Sequence, residues 1–306
     1  MTLLLAVVNE YSSQLMYCPR LDHFVRFNSN GTVSRCGHMV DAPEFNSLNT
    51  MEASSWLANT KELMKFDQWP KECVRCQETE PDSIRQYAIK LDKVTLQSNY
   101  LQVGGVLDNL CNAACQTCNE NLSTRIGSLN SRQFPIINNI DRFQQLPQDR
   151  IVHLDINGGE PSYSKNYKKI LANLPPNLKT LRLNTNCSTV LTELVDIARC
   201  GIEVTVTVSC DGIGLIHDFV RWPIPWQEFY NNLMTYKTMP VTLNLWTTVS
   251  VLNVDDLPNI QQFAQEHGID HSYAYLKTPV ELSVDNTDVK SRETYIQLQK
   301  KLRGIV

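Results

Sequence analysis

The sequence lacks any long apolar run. No stretch approaches the roughly 18 consecutive apolar residues expected of a membrane span. The opening apolar run, residues 3–8, is short, has no basic residue before it and has no small-residue cleavage site after it, whereas a signal peptide needs both. We expect residues 3–8 to form a buried strand, and we expect a cytoplasmic protein without a membrane partner.

An excess of positive charge is also missing. The 306 residues carry 28 Lys and Arg against 32 Asp and Glu, a net charge of −4, which disfavours a large basic surface for nucleic acid and leaves a local one open. A hydrophobic content of 42% is ordinary for a globular chain. The length suits one large domain, or one large and one small domain.

Cysteine, by contrast, is abundant although no export signal is recognisable. Ten cysteines in such a chain indicate a reducing compartment, where thiols bind metals or carry out chemistry. Seven of them fall into two spaced groups. The first group is Cys18, Cys36, Cys73 and Cys76, and the second is Cys111, Cys115 and Cys118.

The second group has C-x3-C-x2-C spacing and follows a predicted strand at residues 100–107. Three clustered thiols leave one over when disulfides form. Thiolates this close suit a soft metal site, and iron–sulfur clusters are held by cysteine thiolates. Three protein ligands would leave one iron of a four-iron cluster open to another group. A zinc knuckle or a chance cluster is the alternative.

Another motif follows the predicted strand at residues 151–156, as the run Gly158, Gly159, Glu160 and Pro161. Two glycines at a strand end permit close approach of a ligand to the backbone. The carboxylate that follows them could meet an ammonium group. A tight turn without a ligand is the alternative for this run taken alone.

The first cysteine group surrounds a predicted hairpin. Two β-prone runs flank Asn30 and Gly31, a pair that favours a type I′ turn. Such a hairpin can bring Cys18 close to Cys36. The other two cysteines of the group have the C-x2-C spacing of a metal-binding turn, and a zinc site with four cysteine ligands is one interpretation.

The remainder of the chain alternates strand and helix. Counting from residue 100 gives six predicted strands. Repeated βαβ units predict an α/β fold with a parallel sheet, in which ligands bind at the carboxyl ends of the strands. The second cysteine group and the glycine-rich run both lie at or just after such ends.

Taken together, the C-x3-C-x2-C group and residues 158–161 resemble the signature of the radical S-adenosylmethionine (SAM) enzymes. The resemblance implies a partial (β/α)6 TIM-like barrel in which Cys111, Cys115 and Cys118 hold a [4Fe–4S] cluster. In that family the open iron binds SAM, and the glycine-rich run binds its amino group. Many members carry an aromatic residue before the third cysteine, whereas this chain has Thr117.

The first cysteine group, with Gly31 in its hairpin, closely resembles the SPASM/twitch pattern. The resemblance implies an auxiliary [4Fe–4S] or [2Fe–2S] cluster on Cys18, Cys36, Cys73 and Cys76. We expect a small α+β module at residues 1–95 and the barrel core at residues 96–306. The module usually follows the core in this family, and here it precedes the core.

Four further residues match positions that contact SAM in the family. The resemblance implies Asn186 and Ser209 near the ribose, with Ser209 also a candidate for the carboxylate. It implies Arg221 near the carboxylate and the loop at Asn253 near adenine. The alternatives are turn and cap roles for the polar residues and a surface salt bridge for Arg221.

Cys187 and Cys210 are the candidate catalytic residues. Both lie at predicted strand ends, where a thiol could donate a hydrogen atom to a substrate radical. A free cysteine is otherwise a small buried hydrophobic residue, which is the alternative for both and for Cys200.

The resulting hypothesis is a SAM-dependent enzyme of the oxidoreductase type. In the family the reduced cluster cleaves SAM to a 5′-deoxyadenosyl radical that abstracts a hydrogen atom from the substrate. SPASM/twitch relatives most often modify peptides or proteins, and a one-electron reductant such as flavodoxin or ferredoxin is implied. A sugar or nucleoside substrate is the second hypothesis, and a non-catalytic metal-binding scaffold is the third.

Overall fold

The computed structural model describes residues 16–95, 98–130 and 134–305. The predicted strand at residues 3–8 lies outside the described residues. Among the helices of the described part of the chain, none is long and apolar enough to cross a membrane.

Eight strands form one sheet. They are β1 (Phe24–Phe27), β2 (Val33–Ser34), β3 (Leu101–Val106), β4 (Ile151–Asn157), β5 (Thr180–Thr185), β6 (Glu203–Ser209), β7 (Thr242–Val249) and β8 (Asp270–Tyr275). Their order across the sheet is β2-β1-β3-β4-β5-β6-β7-β8. The hairpin β1-β2 is antiparallel, and every other neighbouring pair is parallel.

The six strands β3 to β8 confirm the predicted α/β fold and the predicted strand count. They are neighbours in the order in which they occur along the chain. Because βαβ crossovers are right-handed, this sequential order keeps the connecting helices on one face, as in a (β/α) barrel and unlike a doubly wound sheet. Within the described residues β8 does not pair with β2, so the barrel is open, as a partial (β/α)6 barrel requires.

The two faces of the sheet differ in polarity. On β6, Val204, Val206 and Val208 are buried in the main hydrophobic core, whereas Glu203 is exposed and Thr205 is partly exposed. The strand register continues this alternation across the sheet. The polar face carries Gln102, Asp155, Arg182, Thr205, Asn244 and Ser272. Helices therefore cover the apolar face and leave a polar inner surface.

Thirteen α-helices occur in the described residues. They are α1 (Arg20–His23), α2 (Leu48–Glu52), α3 (Ser55–Lys65), α4 (Val74–Thr79), α5 (Ile84–Val94), α6 (Thr124–Leu129), α7 (Ile140–Gln144), α8 (Lys165–Ala172), α9 (Leu194–Arg199), α10 (Leu215–Val220), α11 (Trp226–Lys237), α12 (Leu257–His267) and α13 (Val289–Arg303). Four short 3₁₀ turns accompany them: Lys71–Cys73, Gln148–Arg150, Val254–Asp256 and Val280–Leu282.

The predicted hairpin is present, but its turn is not of type I′. Asn28 N–H donates to Thr32 O and Gly31 N–H donates to Asn28 O. Of the Asn30-Gly31 pair, only Gly31 has a positive φ, at +84°, whereas a type I′ turn needs positive φ at both central residues. The longer loop is that of a turn followed by one left-handed glycine.

The hairpin is part of the barrel sheet. Phe24 to Phe27 of β1 pair in parallel with Gln102 to Gly105 of β3, and helices α2 to α5 form the crossover between the two strands. The parallel sheet therefore begins before the predicted boundary between residues 95 and 96. The division into two domains stays a prediction.

One predicted helix is much shorter than its pattern. The sequence pattern of residues 134–145 predicts a helix over the whole segment, and only α7 forms. Asn109 explains the difference, because its side chain donates to Pro135 O at 2.8 Å and accepts from Ile137 N–H at 2.9 Å. These contacts hold the first part of the segment in an irregular path.

Candidate active site

The loop of Cys111, Cys115 and Cys118 follows β3 and is held from both sides. Ala114 N–H donates to Trp222 O at 2.8 Å, and the Ser123 hydroxyl donates to Ala113 O at 2.6 Å. Cys115 is buried, while its two companions keep part of their surface exposed. The loop is thus a fixed structure with its thiols at the carboxyl end of the parallel sheet.

The glycine-rich run lies directly against this loop. Glu160 N–H donates to Leu110 O at 2.8 Å, and Gly159 N–H donates to Leu122 O at 3.2 Å. Gly159 has a φ of +59°, and a Cβ atom there would lie 2.7 Å from Leu110 O. Gly159 is thus in close contact with the cysteine loop, and the predicted contact of the run with a ligand stays a prediction.

The carboxylate of Glu160 is completely buried and fully hydrogen-bonded. It accepts from the backbone N–H and the hydroxyl of Ser162, at 3.0 and 2.7 Å, from the Thr185 hydroxyl at 2.7 Å, and from Asn186 N–H at 2.5 Å. Burial raises its pKa above the usual range. In this arrangement the carboxylate joins the end of β4 to the end of β5. Its expected contact with the SAM amino group stays a prediction.

A buried network behind the glycine-rich run was not foreseen from the sequence. The Asp108 carboxylate accepts from Leu110 N–H at 2.7 Å and from the Ser164 hydroxyl. Tyr167 Oη accepts from Asp108 N–H at 3.1 Å and donates to Asn157 O at 2.7 Å. The spacing of these residues carries no recognisable motif, because β3, β4 and α8 meet only in the folded chain.

Asn186 connects the end of β5 to the cysteine loop. Its side-chain Nδ2 donates to Asn112 Oδ1 at 2.9 Å and lies 4.0 Å from Cys111 Sγ. The same side chain accepts from Ser188 N–H at 2.9 Å. Asn186 therefore lies beside the thiols, and its predicted contact with the SAM ribose stays a prediction.

Arg221 forms a buried ion pair, so the alternative of a surface salt bridge is wrong. Its Nη1 lies 3.0 Å from Asp211 Oδ2, and both side chains are almost completely buried. The guanidinium lies close enough to Cys115 and Cys111 to interact with their charge, and the Asp211 carboxylate and these thiolates outweigh burial and raise the pKa of Arg221. Its buried Nε has no hydrogen-bond partner among the residues that the structure describes.

The two remaining SAM candidates differ in what their side chains do. Ser209 ends β6 and is partly exposed. Asn253 is buried, with its Nδ2 donating to Asp211 O and Thr248 O at 3.0 and 3.1 Å and its Oδ1 accepting from Ser250 N–H at 2.7 Å. Its side chain therefore shapes the loop after β7. The predicted backbone contact of this loop with adenine is untested.

Cys187 and Cys210 are completely buried in the hydrophobic core. Their thiols lie 3.8 Å from Phe229 O and 3.7 Å from Gly212 O, and burial raises the pKa of Cys210 to about 12. A hydrogen donor has to reach the substrate, which this placement does not favour. The catalytic role stays a prediction, and Cys200 is exposed.

The first cysteine group lines one pocket, and its role as a cluster site stays a prediction. The pocket that its thiols line also contains Arg20, His38 and Arg85, and the four cysteines in it are Cys18, Cys36, Cys73 and Cys76. Arg20 Nη1 lies 3.8 Å from Cys36 Sγ. Burial raises the pKa of Cys18 and of Cys73 to about 12.

This four-cysteine pocket lies at the opposite end of the sheet from the cysteine loop. Cys36 comes two residues after β2, and β2 runs antiparallel to β1, with Arg26 opposite Ser34. Cys36 is therefore near the start of β1, at the level of Gln102 in β3. The parallel strands separate the pocket at their amino ends from the loop at their carboxyl ends.

As placed, no group of three or more His, Cys, Asp or Glu side chains within the described residues could hold a metal ion. The fit of iron–sulfur clusters depends on the donor sets. Each cysteine group supplies the thiolates that such clusters require, and neither group has a carboxylate among its candidate ligands. Arginine side chains beside both groups are suited to compensating thiolate charge. The donor chemistry of both groups therefore suits a cluster, whereas the placement of their side chains does not by itself form a metal site.

Comparisons with known proteins add little. No protein-family model matches the sequence, and no curated protein matches it. Among solved structures, Streptococcus suis SuiB bound to S-adenosylmethionine is 14% identical, with 92% of this chain and 69% of that chain covered and a TM-score of 0.47.

The chain is also similar to native anSMEcpe with bound AdoMet. The identity is 14%, the TM-score is 0.45, and 66% of this chain and 62% of that chain are covered. A structure of anSMEcpe with AdoMet and the Cp18Cys peptide has a TM-score of 0.43 at 14% identity, with coverages of 67% and 62%. Likenesses this distant carry no argument about function.

Proposed function

We propose that this protein is a radical SAM enzyme. The observation that carries the proposal is the contact between the cysteine loop and the glycine-rich run, through Glu160 N–H to Leu110 O at 2.8 Å. Two motifs of the family thus meet at the carboxyl ends of parallel strands, where ligands of such folds bind. If bound to the three thiolates, a [4Fe–4S] cluster would supply the electron for cleavage of SAM, which is the chemistry by which enzymes of this family abstract a hydrogen atom from a substrate.

The surrounding residues would orient the two groups. Cys111, Cys115 and Cys118 would hold three irons and leave the fourth for SAM. Arg221 offers a buried N–H that has no partner in the described part of the chain, and a carboxylate such as that of SAM is a suitable acceptor for it. Asn186 lies beside Cys111 Sγ and can contact a ligand of the neighbouring iron.

The four-cysteine pocket is proposed as an auxiliary cluster site of the SPASM/twitch kind. Its four thiols line one pocket, which supports a shared ligand for all of them. A structural zinc site would use the same donors. Iron and zinc analysis of the purified protein distinguishes the two.

The proposed substrate is a peptide or protein, and this part rests on the resemblance of the four-cysteine pattern to SPASM/twitch modules. A polar small molecule such as a sugar or nucleoside is the second candidate. The polar face of the sheet favours that candidate, because amide, hydroxyl and charged side chains line it from Gln102 to Ser272. A cytoplasmic enzyme that receives electrons from flavodoxin or ferredoxin completes the proposal.

The test is anaerobic reconstitution followed by iron, sulfide and 5′-deoxyadenosine measurement. The wild type is compared with the triple variant Cys111→Ala/Cys115→Ala/Cys118→Ala, and Cys200→Ala is the control because that cysteine lies outside both groups. Two [4Fe–4S] clusters give about eight irons per chain, and the triple variant should retain about four. It should form no 5′-deoxyadenosine, while the control behaves like the wild type.

Two results would overturn the proposal. A wild type that binds no iron after careful reconstitution would exclude clusters at both sites. Full iron content without SAM cleavage in the presence of a strong reductant would favour the metal-binding scaffold.

A further inference from the structure

The last helix, α13, returns the chain to the cysteine loop. It ends at Arg303, whose side chain is 6% exposed. Arg303 Nε donates to Ala114 O at 2.7 Å, and its Nη2 lies 3.4 Å from Cys115 O. Its Nη1 contacts Gln299 on the preceding turn. One guanidinium thus binds two consecutive carbonyls of the loop from a position 188 residues away.

Within the described residues, Arg303 is a buried cation without a carboxylate to balance it. No ion pair between Arg303 and an acidic side chain occurs among the described residues. The charged forms of Cys115 and Cys118 are close enough to interact with it electrostatically, as is Tyr295. Burying an unpaired charge is costly, so a nearby negative group is needed when the site functions.

We infer that Arg303 is the counter-charge of the thiolates on the cysteine loop and the residue that positions their backbone for an iron–sulfur cluster. This inference rests on the proposed function. The carbonyl contacts set the path of the loop at Cys115. The positive charge compensates the negative charge that thiolate ligands place in the same buried volume.

A second arginine supports the same electrostatic design. Arg221 lies close enough to Cys115 to interact with its charge, but Asp211 already neutralises it. Arg303 carries no such internal partner in the part of the chain that is described. Its charge therefore acts on the cluster site without a compensating carboxylate from the described residues. Removing this charge should change the reduction potential at the site, although Arg303 is far from the motifs in sequence.

A nearby positive charge favours the reduced state of a cluster, because reduction adds negative charge. The reduction potential of iron–sulfur clusters responds to net charge and hydrogen bonding around them. Replacing Arg303 by glutamine should therefore lower the potential. Replacing it by lysine should preserve the charge and most of the potential, although two hydrogen bonds to the loop cannot both be kept by an ammonium group in the same geometry.

The experiment compares Arg303→Gln, Arg303→Lys and Lys301→Gln in the reconstituted full chain. Lys301 lies on the same helix and is exposed, so its variant removes one positive charge from the same helix end without touching the loop. The midpoint potential is followed through the electron paramagnetic resonance signal that changes on addition of SAM, which selects the cluster of the cysteine loop. Iron loss from that cluster on dilution is the second readout.

The expected result is a more negative potential and faster iron loss in Arg303→Gln. Lys301→Gln should match the wild type, and Arg303→Lys should restore the potential while losing iron faster. Equal potentials in all four proteins, or equal shifts in Arg303→Gln and Lys301→Gln, would overturn the inference.

Failure of the proposed function can be told apart from failure of this inference, because in that case the wild type itself would hold no SAM-sensitive cluster. Should Arg303→Gln not fold, Arg303→Lys still decides. In Arg303→Lys, a wild-type potential combined with faster iron loss supports the inference. Wild-type values of both the potential and the rate of iron loss would contradict a role of Arg303 in positioning the loop.

Discussion

The two cysteine sites are built in opposite ways. The cysteine loop has ligands within eight residues of one another, yet its support comes from remote parts of the chain, including Trp222 and Arg303. The four-cysteine pocket collects thiols from Cys18 to Cys76, and its lining residues all come from the first 85 positions. Close spacing in sequence therefore does not mean local support. The loop depends on the whole barrel, and the pocket depends on the N-terminal segment.

The comparison also separates the sites in space, since one lies at the carboxyl ends and the other at the amino ends of the strands. An auxiliary cluster in the pocket would face the floor of the barrel. Helix α5 occupies this region, with Tyr87 Oη accepting from Arg182 on β5 at 2.8 Å. Independent loss of the two sites is the main consequence to test.

The largest effect is expected for the variant that replaces Cys18, Cys36, Cys73 and Cys76 by alanine. Iron should fall from about eight to about four atoms per chain, while cleavage of SAM to 5′-deoxyadenosine continues, because the loop and its supports are untouched. Metal analysis and product chromatography measure the two quantities. Loss of SAM cleavage in a folded variant would show that the two sites are coupled and would contradict their independence.

A large loss of stability is expected for Asp211→Ala. The change leaves Arg221 buried without its carboxylate, and breaking a buried pair costs about 3–5 kcal/mol. Asp196→Ala is the control, since its pair with Arg199 is 72% and 84% exposed and an exposed pair contributes about 0–1 kcal/mol. Urea unfolding gives both free energies. Similar values for the two variants would contradict the buried character of the pair.

A smaller and more local effect is expected for Gly159→Ala. The new Cβ would meet Leu110 O at 2.7 Å, whereas Gly201, which also has a positive φ, has nothing within 4 Å of its Cβ position. Gly201→Ala should lower the free energy of unfolding by about 1–2 kcal/mol, because only its backbone conformation is unfavourable. Gly159→Ala should lower it by about 1–3 kcal/mol more, because its Cβ also overpacks the site. Unfolding experiments on both variants measure the difference, and iron uptake by the loop should fall only in Gly159→Ala. Equal losses would mean that the glycine-rich run can move away from the cysteine loop.

The smallest effect concerns pH. His217 is completely buried, and neither of its ring nitrogens has a hydrogen-bond partner within residues 16–95, 98–130 and 134–305. Burial, with Arg221 nearby, lowers its pKa to about 3. In the folded state His217 thus binds a proton only at a lower pH than in the unfolded state. The contribution of neutral His217 to the free energy of unfolding is therefore fully present above about pH 6.5 and is lost as the pH falls toward 3.

When the pH falls from 7 to 5.5, protonation of this histidine in the unfolded state should lower the free energy of unfolding by about 1 kcal/mol. A phenylalanine at position 217 would pack against Phe229 and Trp226, as the histidine ring does. In His217→Phe the free energy of unfolding should therefore decline less steeply as the pH falls. His153, whose pKa burial lowers to about 4, remains in both proteins. Parallel pH profiles would exclude His217 as a source of acid sensitivity.

The sequence by itself determined the alternating strands and helices, the parallel sheet, the hairpin and the two groups of cysteines. These features depend on local periodicity, turn-forming residues and spacing, which short segments carry without reference to the rest of the chain. The Asn30-Gly31 pair predicted the hairpin, although the turn type was wrong because the loop is longer than two residues. The helix at residues 134–145 was overestimated because Asn109, far from it in sequence, holds its first part.

Only the tertiary structure decided what surrounds the thiols. The four hydrogen bonds of Glu160, the buried pair of Asp211 and Arg221, and the contact of Arg303 with Ala114 and Cys115 join segments that are from a few to almost 190 residues apart. No motif announces such contacts, because a buried polar group can be satisfied by any donor or acceptor that the fold brings within reach. Which partner it meets depends on how the strands order and where the last helix returns, and that is a property of the folded chain.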